Sequence, residues 1–167
     1  MRLFISIQLS EEMKDALTEI QEHMQRLGVR GNFTKRDNTH ITLAFIGEYD
    51  DPDAVKEIIE QINFQPFIIG LDGIGSFRSL WWAGLTGTGS MNILSKRLRR
   101  ALADAGIPFD RKKFLPHITL VRQPKSADGK IPAEVLDNLP HAQMRVDHIS
   151  LMRSDRGKNG MIYTELT

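Results

Sequence analysis

The tetrapeptide His40-Ile41-Thr42-Leu43 occurs a second time, unchanged, as His117-Ile118-Thr119-Leu120. Both copies read as β-strands, and in an extended strand successive side chains point to opposite faces. The His and Thr of each copy therefore share one face, while the Ile and Leu share the other. The apolar face can pack on a core while the polar face offers an imidazole and a hydroxyl to a cleft. We predict that the fold brings the two copies together at one site.

The sequence around the two copies is also repeated. A shift of 78 residues superposes the apolar and capping positions of two predicted helices, with Met13 on Met91, Ile20 on Leu98, Met24 on Leu102 and Gly28 on Gly106. Self-similarity over half a chain indicates a duplicated unit. We therefore predict a single bilobal domain over residues 1–167, with one repeat over about 1–78 and the other over about 79–167. A pseudo-two-fold axis would place His40 and His117 on opposite walls of one cleft.

Hydrophobic periodicity, turn residues and capping residues predict alternating strands and helices. Strands are predicted over residues 3–8, 33–35, 39–46, 66–74, 80–86, 143–152 and 161–166, with a loop over 155–160. Helices are predicted from the Ser10 cap to Gly28, from Pro52 to about Ile62, from the Ser90 cap to Gly106, and over about 132–138. Each repeat would bury little surface alone, so we expect the two to share an interface.

Composition narrows the class of protein. With 41% hydrophobic and 26% charged residues, the chain can bury a proper core. The absence of cysteine excludes disulfides, thiolate nucleophiles and thiolate metal sites, and it is compatible with a reducing cytosol. The apolar N-terminal run is too short and too interrupted for a signal peptide or a membrane span. We expect a cytoplasmic monomer that does not associate with membranes.

Charge is divided unevenly along the chain. Residues 1–83 hold 8 Lys or Arg and 13 Asp or Glu, a net charge of −5, whereas residues 84–167 hold 14 and 8, a net charge of +6. The second half is therefore the expected contact for a polyanion. Lys96, Arg97, Arg99 and Arg100 fall on one predicted helix, and we interpret that run as a solvated helix face.

Two imidazoles on facing strands can divide acid and base work. Because the ordinary pKa of histidine is about 6.5, one ring can be neutral and accept a proton while the other is charged and donates one. Thr42 and Thr119 would add hydroxyl donors for the oxygens of a phosphate held between the walls. A single His-x-Thr motif is more often structural than catalytic. Core packing, however, explains only why the Ile and Leu are repeated. The repetition of His and Thr on the other face indicates catalysis.

Other chemistries find less support. The sequence has no His-Glu-x-x-His and no His-x-His, so two matched histidines remain where zinc takes at least three protein ligands. The glycine-rich stretch 84–89 has neither the P-loop nor the dinucleotide-binding spacing, and we interpret it as a strand-to-helix turn. His23, His141 and His148 lack such pairing and are interpreted as structural or surface residues. We predict no metal and no cofactor.

The paired motif resembles that of the two-histidine (2H) phosphoesterase superfamily, and in particular its RNA 2',3'-cyclic phosphodiesterase branch, also called 2'-5' RNA ligase. The resemblance spans nearly the whole chain, and its supporting stretches are Arg2–Ile7, His40–Gly47, Gly73–Phe77, Leu80–Gly84 and Pro116–Arg122. It implies an α+β fold in which two pseudo-symmetric lobes of antiparallel β-sheet line a central cleft, with the helices outside. It also implies a metal-independent enzyme.

The resemblance further implies an activity and a set of roles. Members of the family hydrolyse a terminal 2',3'-cyclic phosphate on RNA to a 2'-phosphate, and some catalyse the reverse 2'-5' ligation. Carried over, His40 is the general acid that protonates the 3'-oxygen, and His117 is the general base that activates water. Thr42, Thr119 and Arg122 bind the phosphate. Strand alternation complicates Arg122, which faces away from the cleft unless a bulge turns it back; a structural salt bridge is the alternative.

The substrate stays open at this point. The partner is expected to be RNA with a 2',3'-cyclic phosphate end or a small cyclic nucleotide such as ADP-ribose cyclic phosphate. A non-catalytic RNA-binding module is the alternative from a different class, since Phe45, Phe77, Trp81 and Trp82 could stack on bases. We expect these aromatic residues to lie mainly in the core, with Phe45 packed beside Ile41 and at most one tryptophan free for a ligand.

Overall fold

The computed structural model describes residues 1–167. Its strands are β1 (Arg2–Gln8), β2 (Arg30–Phe33), β3 (His40–Glu48), β4 (Phe67–Phe77), β5 (Leu80–Leu85), β6 (Ile118–Lys125), β7 (Gln143–Val146), β8 (Ser150–Gly157) and β9 (Gly160–Glu165). The α-helices are α1 (Glu11–Arg26), α2 (Pro52–Gln61), α3 (Thr88–Asp104) and α4 (Ala133–Leu136), and a 3₁₀ turn (Arg36–Asn38) precedes β3.

The strands form two antiparallel sheets. One has the order β3-β1-β8-β9 and the other has the order β2-β6-β5-β4-β7. The predicted α+β fold with two antiparallel sheets is therefore confirmed. Each sheet takes strands from both halves of the chain. In the second sheet, the hairpin that pairs Phe77 with Leu80 crosses the predicted repeat boundary and stays within the sheet. The duplication itself stays a prediction.

The helices join the two halves further. Ser10 caps α1 by accepting the amide of Met13 at 3.2 Å, and Glu11 and Glu12 lie at the positive end of the helix dipole. The apolar stripe of α1 is buried against β6 and β7, whereas α3 packs against β3. Buried apolar side chains from both sheets form one contiguous cluster. No helix of the chain has the length and apolar character needed to cross a bilayer.

Several predicted elements differ from the structure. The short strand predicted over residues 33–35 runs from Arg30 to Phe33 instead. The helix predicted to start after a Ser90 cap begins at Thr88, with Gly87 as its N-cap. Gly87 has φ 76°, and a Cβ there would lie 2.6 Å from Ile68 O, so glycine lets the chain turn directly from β5 into the helix. The strand predicted over 143–152 is two strands, because the chain leaves one sheet after Val146 and enters the other at Ser150.

The predicted loop over residues 155–160 is also shorter in the structure. Strand β8 continues to Gly157 and β9 begins at Gly160, so Lys158 and Asn159 form the turn of a tight hairpin. The prediction failed because the polar residues of this stretch read as a loop, whereas pairing between the two strands satisfies their backbone groups.

Candidate active site

One cavity collects the five residues that the sequence singled out. His40 and Thr42 come from β3 in one sheet. Thr119 and Arg122 come from β6 in the other sheet, and His117 immediately precedes β6. The cavity encloses about 730 Å³ of empty space, part of it open to solvent. Its other lining residues are Phe4, Thr34, Asn38, Phe45, Ser154 and Tyr163. The two strands thus form facing walls of a single site.

The His40 ring is held on every side. Its Nδ1–H donates to Asn38 O at 2.7 Å, and in the neutral ring Nε2 accepts the Thr42 hydroxyl at 2.9 Å. The ring also contacts Phe4, at 4.9 Å between centroids, and the edge of Tyr163, at 5.3 Å. Because a carbonyl can only accept, the bond to Asn38 keeps a proton on Nδ1 and turns Nε2 toward the cavity.

The charge state of His40 is set by its surroundings. Burial lowers the pKa of His40 below its ordinary value of 6.5, and the nearby positive charges of His117 and Arg122 lower it further. The hydrogen bond to Asn38 O acts in the opposite direction and raises it. Since two of these causes are positive charges across the cavity, an anion held between the walls would oppose them.

The His117 ring repeats this arrangement on the second wall. Its Nδ1–H donates to Leu115 O at 2.6 Å, again the carbonyl two residues before the histidine. Its ring lies edge-on to Phe77, with 5.3 Å between centroids, and to Trp82, with 6.2 Å. Phe4 and Trp82 are 78 residues apart, the same shift that relates the helices. No protein group bonds to Nε2 of His117, so it is available to a ligand.

A β-bulge brings Arg122 into the cavity. In the pairing of β5 with β6, Trp82 lies opposite Thr119 and Trp81 lies opposite Val121, so Leu120 has no partner. The extra residue reverses the alternation, and Leu120 and Val121 are both completely buried. Arg122 then returns to the cavity side, and no carboxylate lies within ion-pair distance of it. The alternative of a structural salt bridge is therefore wrong.

The first wall has the same bulge with a different outcome. Strand β1 pairs Ser6 with Thr42 and Ile5 with Ala44, which leaves Leu43 unpaired. Phe45 consequently lines the cavity, and the prediction that it packs in the core is wrong. Phe45 lies 77 residues before Arg122, as His40 does before His117.

Both bulges are held by buried polar side chains from the helices. Leu120 O accepts a bond from Gln21 Nε2 of α1 at 2.9 Å. Leu43 O accepts Ser95 Oγ of α3 at 2.9 Å and Arg99 Nε at 3.4 Å. Gln21 and Arg99 are again 78 residues apart. The interpretation of the basic run on α3 as simply solvated is therefore wrong for Arg99, whose second nitrogen Nη1 also bonds to Lys112 O at 2.7 Å.

The aromatic residues divide between core and cavity. Trp81 is 5% exposed and belongs to the core, whereas Trp82 lies against His117. Phe77, expected in the core, is 37% exposed beside the same histidine. Tyr163 was missed because it comes from the last strand, far in sequence from either motif, and no local pattern marks it. Ser154 was missed for the same reason. Asn38 and Thr34 lie two and six residues before His40, but no pattern in the sequence marks them as lining residues.

The remaining histidines lie outside this cavity. His23 lies 3.9 Å from Glu134, and His148 pairs with Asp147 at 2.8 Å. No group of three or more His, Cys, Asp or Glu side chains is arranged to hold a metal ion.

Known proteins share both the sequence pattern and the fold. The family model described as the 2'-5' RNA ligase superfamily matches residues 7–158. A protein of Thermotoga maritima named RNA 2',3'-cyclic phosphodiesterase is 30% identical over 99% of this chain and 93% of its own length. The structure of E. coli LigT in apo form superposes with a TM-score of 0.82 and 27% identity, covering 99% of this chain and 94% of that one.

A second E. coli LigT structure, complexed with 3'-AMP, superposes with a TM-score of 0.79 and 27% identity over the same shares of the two chains. The resemblance inferred from the repeated motif is thus confirmed over almost the whole length. The chain belongs to the 2'-5' RNA ligase superfamily, a family of phosphoesterase enzymes.

Proposed function

We propose that this protein hydrolyses a terminal 2',3'-cyclic phosphate on RNA to a 2'-phosphate by two-histidine acid–base catalysis. One observation carries the proposal: His40 and His117 face the same cavity from two sheets, and in each ring Nδ1 bonds to a backbone carbonyl. Nε2 of His117 is thereby free, and Nε2 of His40, which bonds only to the Thr42 hydroxyl, faces the same cavity. The name of the Thermotoga relative and the 3'-AMP complex of LigT support a nucleotide phosphodiester as substrate.

In the proposed reaction, His117 Nε2 accepts a proton from a water molecule whose oxygen attacks the phosphorus. The bond from phosphorus to the 3'-oxygen breaks, and the 3'-oxygen takes a proton from His40 Nε2. The 2'-phosphate remains on the terminal nucleotide, His117 has gained a proton and His40 has lost one, so both rings exchange a proton with solvent before the next turnover. Each such proton transfer contributes roughly 10²- to 10⁴-fold in rate.

Thr42, Thr119 and Arg122 would bind the non-bridging oxygens. Arg122 suits this role because it has no ion-pair partner of its own and because a guanidinium matches phosphate geometry. The negative charge of a bound phosphate also favours the protonated form of His40. The free protein disfavours the charged ring through burial and through the charges of Arg122 and of a protonated His117. With His117 neutral as the base, the bound anion offsets the charge of Arg122. His40 would then carry its proton when substrate is in place.

The same geometry supports 2'-5' ligation, a transesterification of the same cyclic phosphate, as part of this proposal. If a 5'-hydroxyl takes the place of water, His117 accepts its proton and attack on the cyclic phosphate forms a 2'-5' phosphodiester. His40 again protonates the departing 3'-oxygen. Since both reactions use one pair of proton transfers, a variant that loses hydrolysis is expected to lose ligation as well.

The decisive experiment supplies 2',3'-cyclic mononucleotides, ADP-ribose cyclic phosphate and RNA oligomers with a cyclic phosphate end, and identifies the product isomer by ³¹P NMR. His40→Ala and His117→Ala are each expected to lower turnover by roughly 10²- to 10⁴-fold, while His141→Ala, outside the cavity, serves as the matched control. A 3'-phosphate product, or full turnover in the double alanine variant, would contradict the proposal. Salt-sensitive RNA binding without turnover would instead favour the binding-module alternative.

Turnover is also expected to be unchanged by EDTA, because the cavity offers two imidazoles where zinc takes three or more protein ligands. The monomeric state and the cytoplasmic location stay predictions.

A further inference from the structure

A second groove continues from the cavity toward the end of β8. It shares four residues with the cavity and encloses about 1280 Å³ of empty space that includes open solvent. The shared residues are Phe45, Arg122, Ser154 and Tyr163, and the groove adds Met1, Arg2, Glu48, Asp155, Arg156 and Met161. Any molecule longer than the cavity can therefore extend along this path without leaving the protein surface.

The groove carries an excess of positive charge. Its two carboxylates are already neutralised, since Glu48 pairs with the N-terminal ammonium at 2.9 Å and Asp155 pairs with Arg153 at 2.8 Å. Arg2 and Arg156, in contrast, form no ion pair. Two guanidinium groups, besides Arg122, are left to face an incoming anion.

Arg2 is also held in place. Its guanidinium carbon lies 5.1 Å from the centroid of Phe45, the residue that the bulge in β3 turns toward the cavity. Phe45 in turn stacks on Phe4, with 6.4 Å between centroids and 12° between planes. This chain of contacts places Arg2 at the border between the cavity and the groove, and a pre-positioned guanidinium loses less freedom on binding a phosphate.

We propose that the groove binds the internucleotide phosphate on the 5' side of the reacting nucleotide, through Arg2 and Arg156. This inference rests on the proposed function, and it adds the residues outside the cavity that would make an RNA end a better substrate than a free cyclic mononucleotide. The chemistry fits because a phosphodiester is a monoanion with two free oxygens, which guanidinium groups bind through paired N–H donors. A free cyclic mononucleotide has no second phosphate and would leave both arginines unused.

The test compares three substrates: adenosine 2',3'-cyclic phosphate, a dinucleotide with one phosphodiester linkage and a cyclic phosphate end, and the same dinucleotide with a neutral methylphosphonate linkage. The ratio of kcat/KM for the charged dinucleotide to that for the mononucleotide is the readout. In the Arg2→Gln, Arg156→Gln double variant we expect this ratio to fall about tenfold, as for lost charge-assisted hydrogen bonds. Arg100→Gln, an exposed arginine on α3, is the matched control.

Two further results are expected if the groove binds the phosphate. The methylphosphonate dinucleotide should show no such fall, and the salt dependence of kcat/KM for the charged dinucleotide should weaken by about one unit of slope per lost contact in the double variant. A ratio that is the same in the double variant and in Arg100→Gln would overturn the inference, provided that circular dichroism shows both variants folded.

Failure of the proposed function can be told apart from failure of the groove. If the wild-type protein turns over no substrate, the proposed function fails. The groove is then judged by fluorescence anisotropy with a labelled dinucleotide that ends in a 2'-phosphate. Weaker binding to the double variant than to Arg100→Gln supports the subsite, whereas equal binding refutes it.

Discussion

Replacing Gln21 by leucine tests whether a helix far from the chemistry holds Arg122 in the cavity. Gln21 is 6% exposed, and its Nε2 donates to Thr34 O at 2.8 Å and to Leu120 O at 2.9 Å. Leucine has a similar size but no donor, so Gln21→Leu removes two hydrogen bonds with little change in packing. The carbonyl of Leu120, which loses one of its donors, belongs to the β-bulge that reverses the alternation of side-chain faces before Arg122.

The expected loss of stability depends on which hydrogen bonds the two carbonyls keep in Gln21→Leu. Leu120 O still accepts the amide of Thr34 at 3.0 Å, so it is not left unpaired. Thr34 O, in a bond that is only partly buried, loses its donor from Gln21, and each of the two lost hydrogen bonds costs about 0.5–1.5 kcal/mol. We therefore expect Gln21→Leu to lower the free energy of unfolding by about 1–3 kcal/mol. Urea denaturation measures it, and Gln25→Leu on the exposed side of the same helix is the control.

If Gln21 has only a structural role, Gln21→Leu changes stability alone. A second measurement is therefore needed to test whether Gln21 positions Arg122. If Gln21 positions Arg122 through the bulge, Arg122→Gln should lower kcat/KM less in the Gln21→Leu background than in the wild-type background. A double-mutant cycle on kcat/KM measures this coupling. Independent, additive effects of the two substitutions, with both variants folded at the assay temperature, would refute the reasoning.

Two further predictions follow from the surroundings of the two histidines. In an NMR titration of the free protein, the pKa of the His40 ring should lie below 6.5. Arg122→Gln removes a positive charge and should raise this pKa, and bound phosphate should raise it as well. A downward shift in either case would contradict the account of the His40 pKa. Gly75→Ala would place a Cβ 2.2 Å from Trp82 Cζ2, so the indole beside His117 must shift. We expect the free energy of unfolding, measured by urea denaturation, to fall by about 1–3 kcal/mol and kcat to fall as well. Gly89→Ala, with open space around the added Cβ, should leave kcat unchanged.

The sequence alone was enough to identify the active strands and the family. An exact repeat of His-Ile-Thr-Leu in two β-prone stretches marks both the buried and the polar face, because alternation is a property of each extended strand by itself. Local signals also determined α1, since the Ser10 cap, the two glutamates and the apolar stripe all lie within one helix. These features need no knowledge of distant parts of the chain.

The arrangement of the strands was decided only by tertiary structure. Strands β8 and β9 join β1 and β3, and the β4–β5 hairpin keeps strands from both halves of the chain in one sheet. Pairing partners are chosen by the fit of whole surfaces, which a repeat in the sequence does not specify. Tyr163 reaches His40 for this reason alone.

The orientation of Arg122 and Phe45 was likewise outside the reach of strand alternation. Each is turned into the cavity by one unpaired leucine, and a bulge exists only in relation to the neighbouring strand and to the helix side chain that binds its carbonyl. The chain by itself determined which residues are proposed as the acid, the base and the hydroxyl donors. The packing of helices and strands from opposite halves decided which further side chains join them, because that packing sets where alternation is broken.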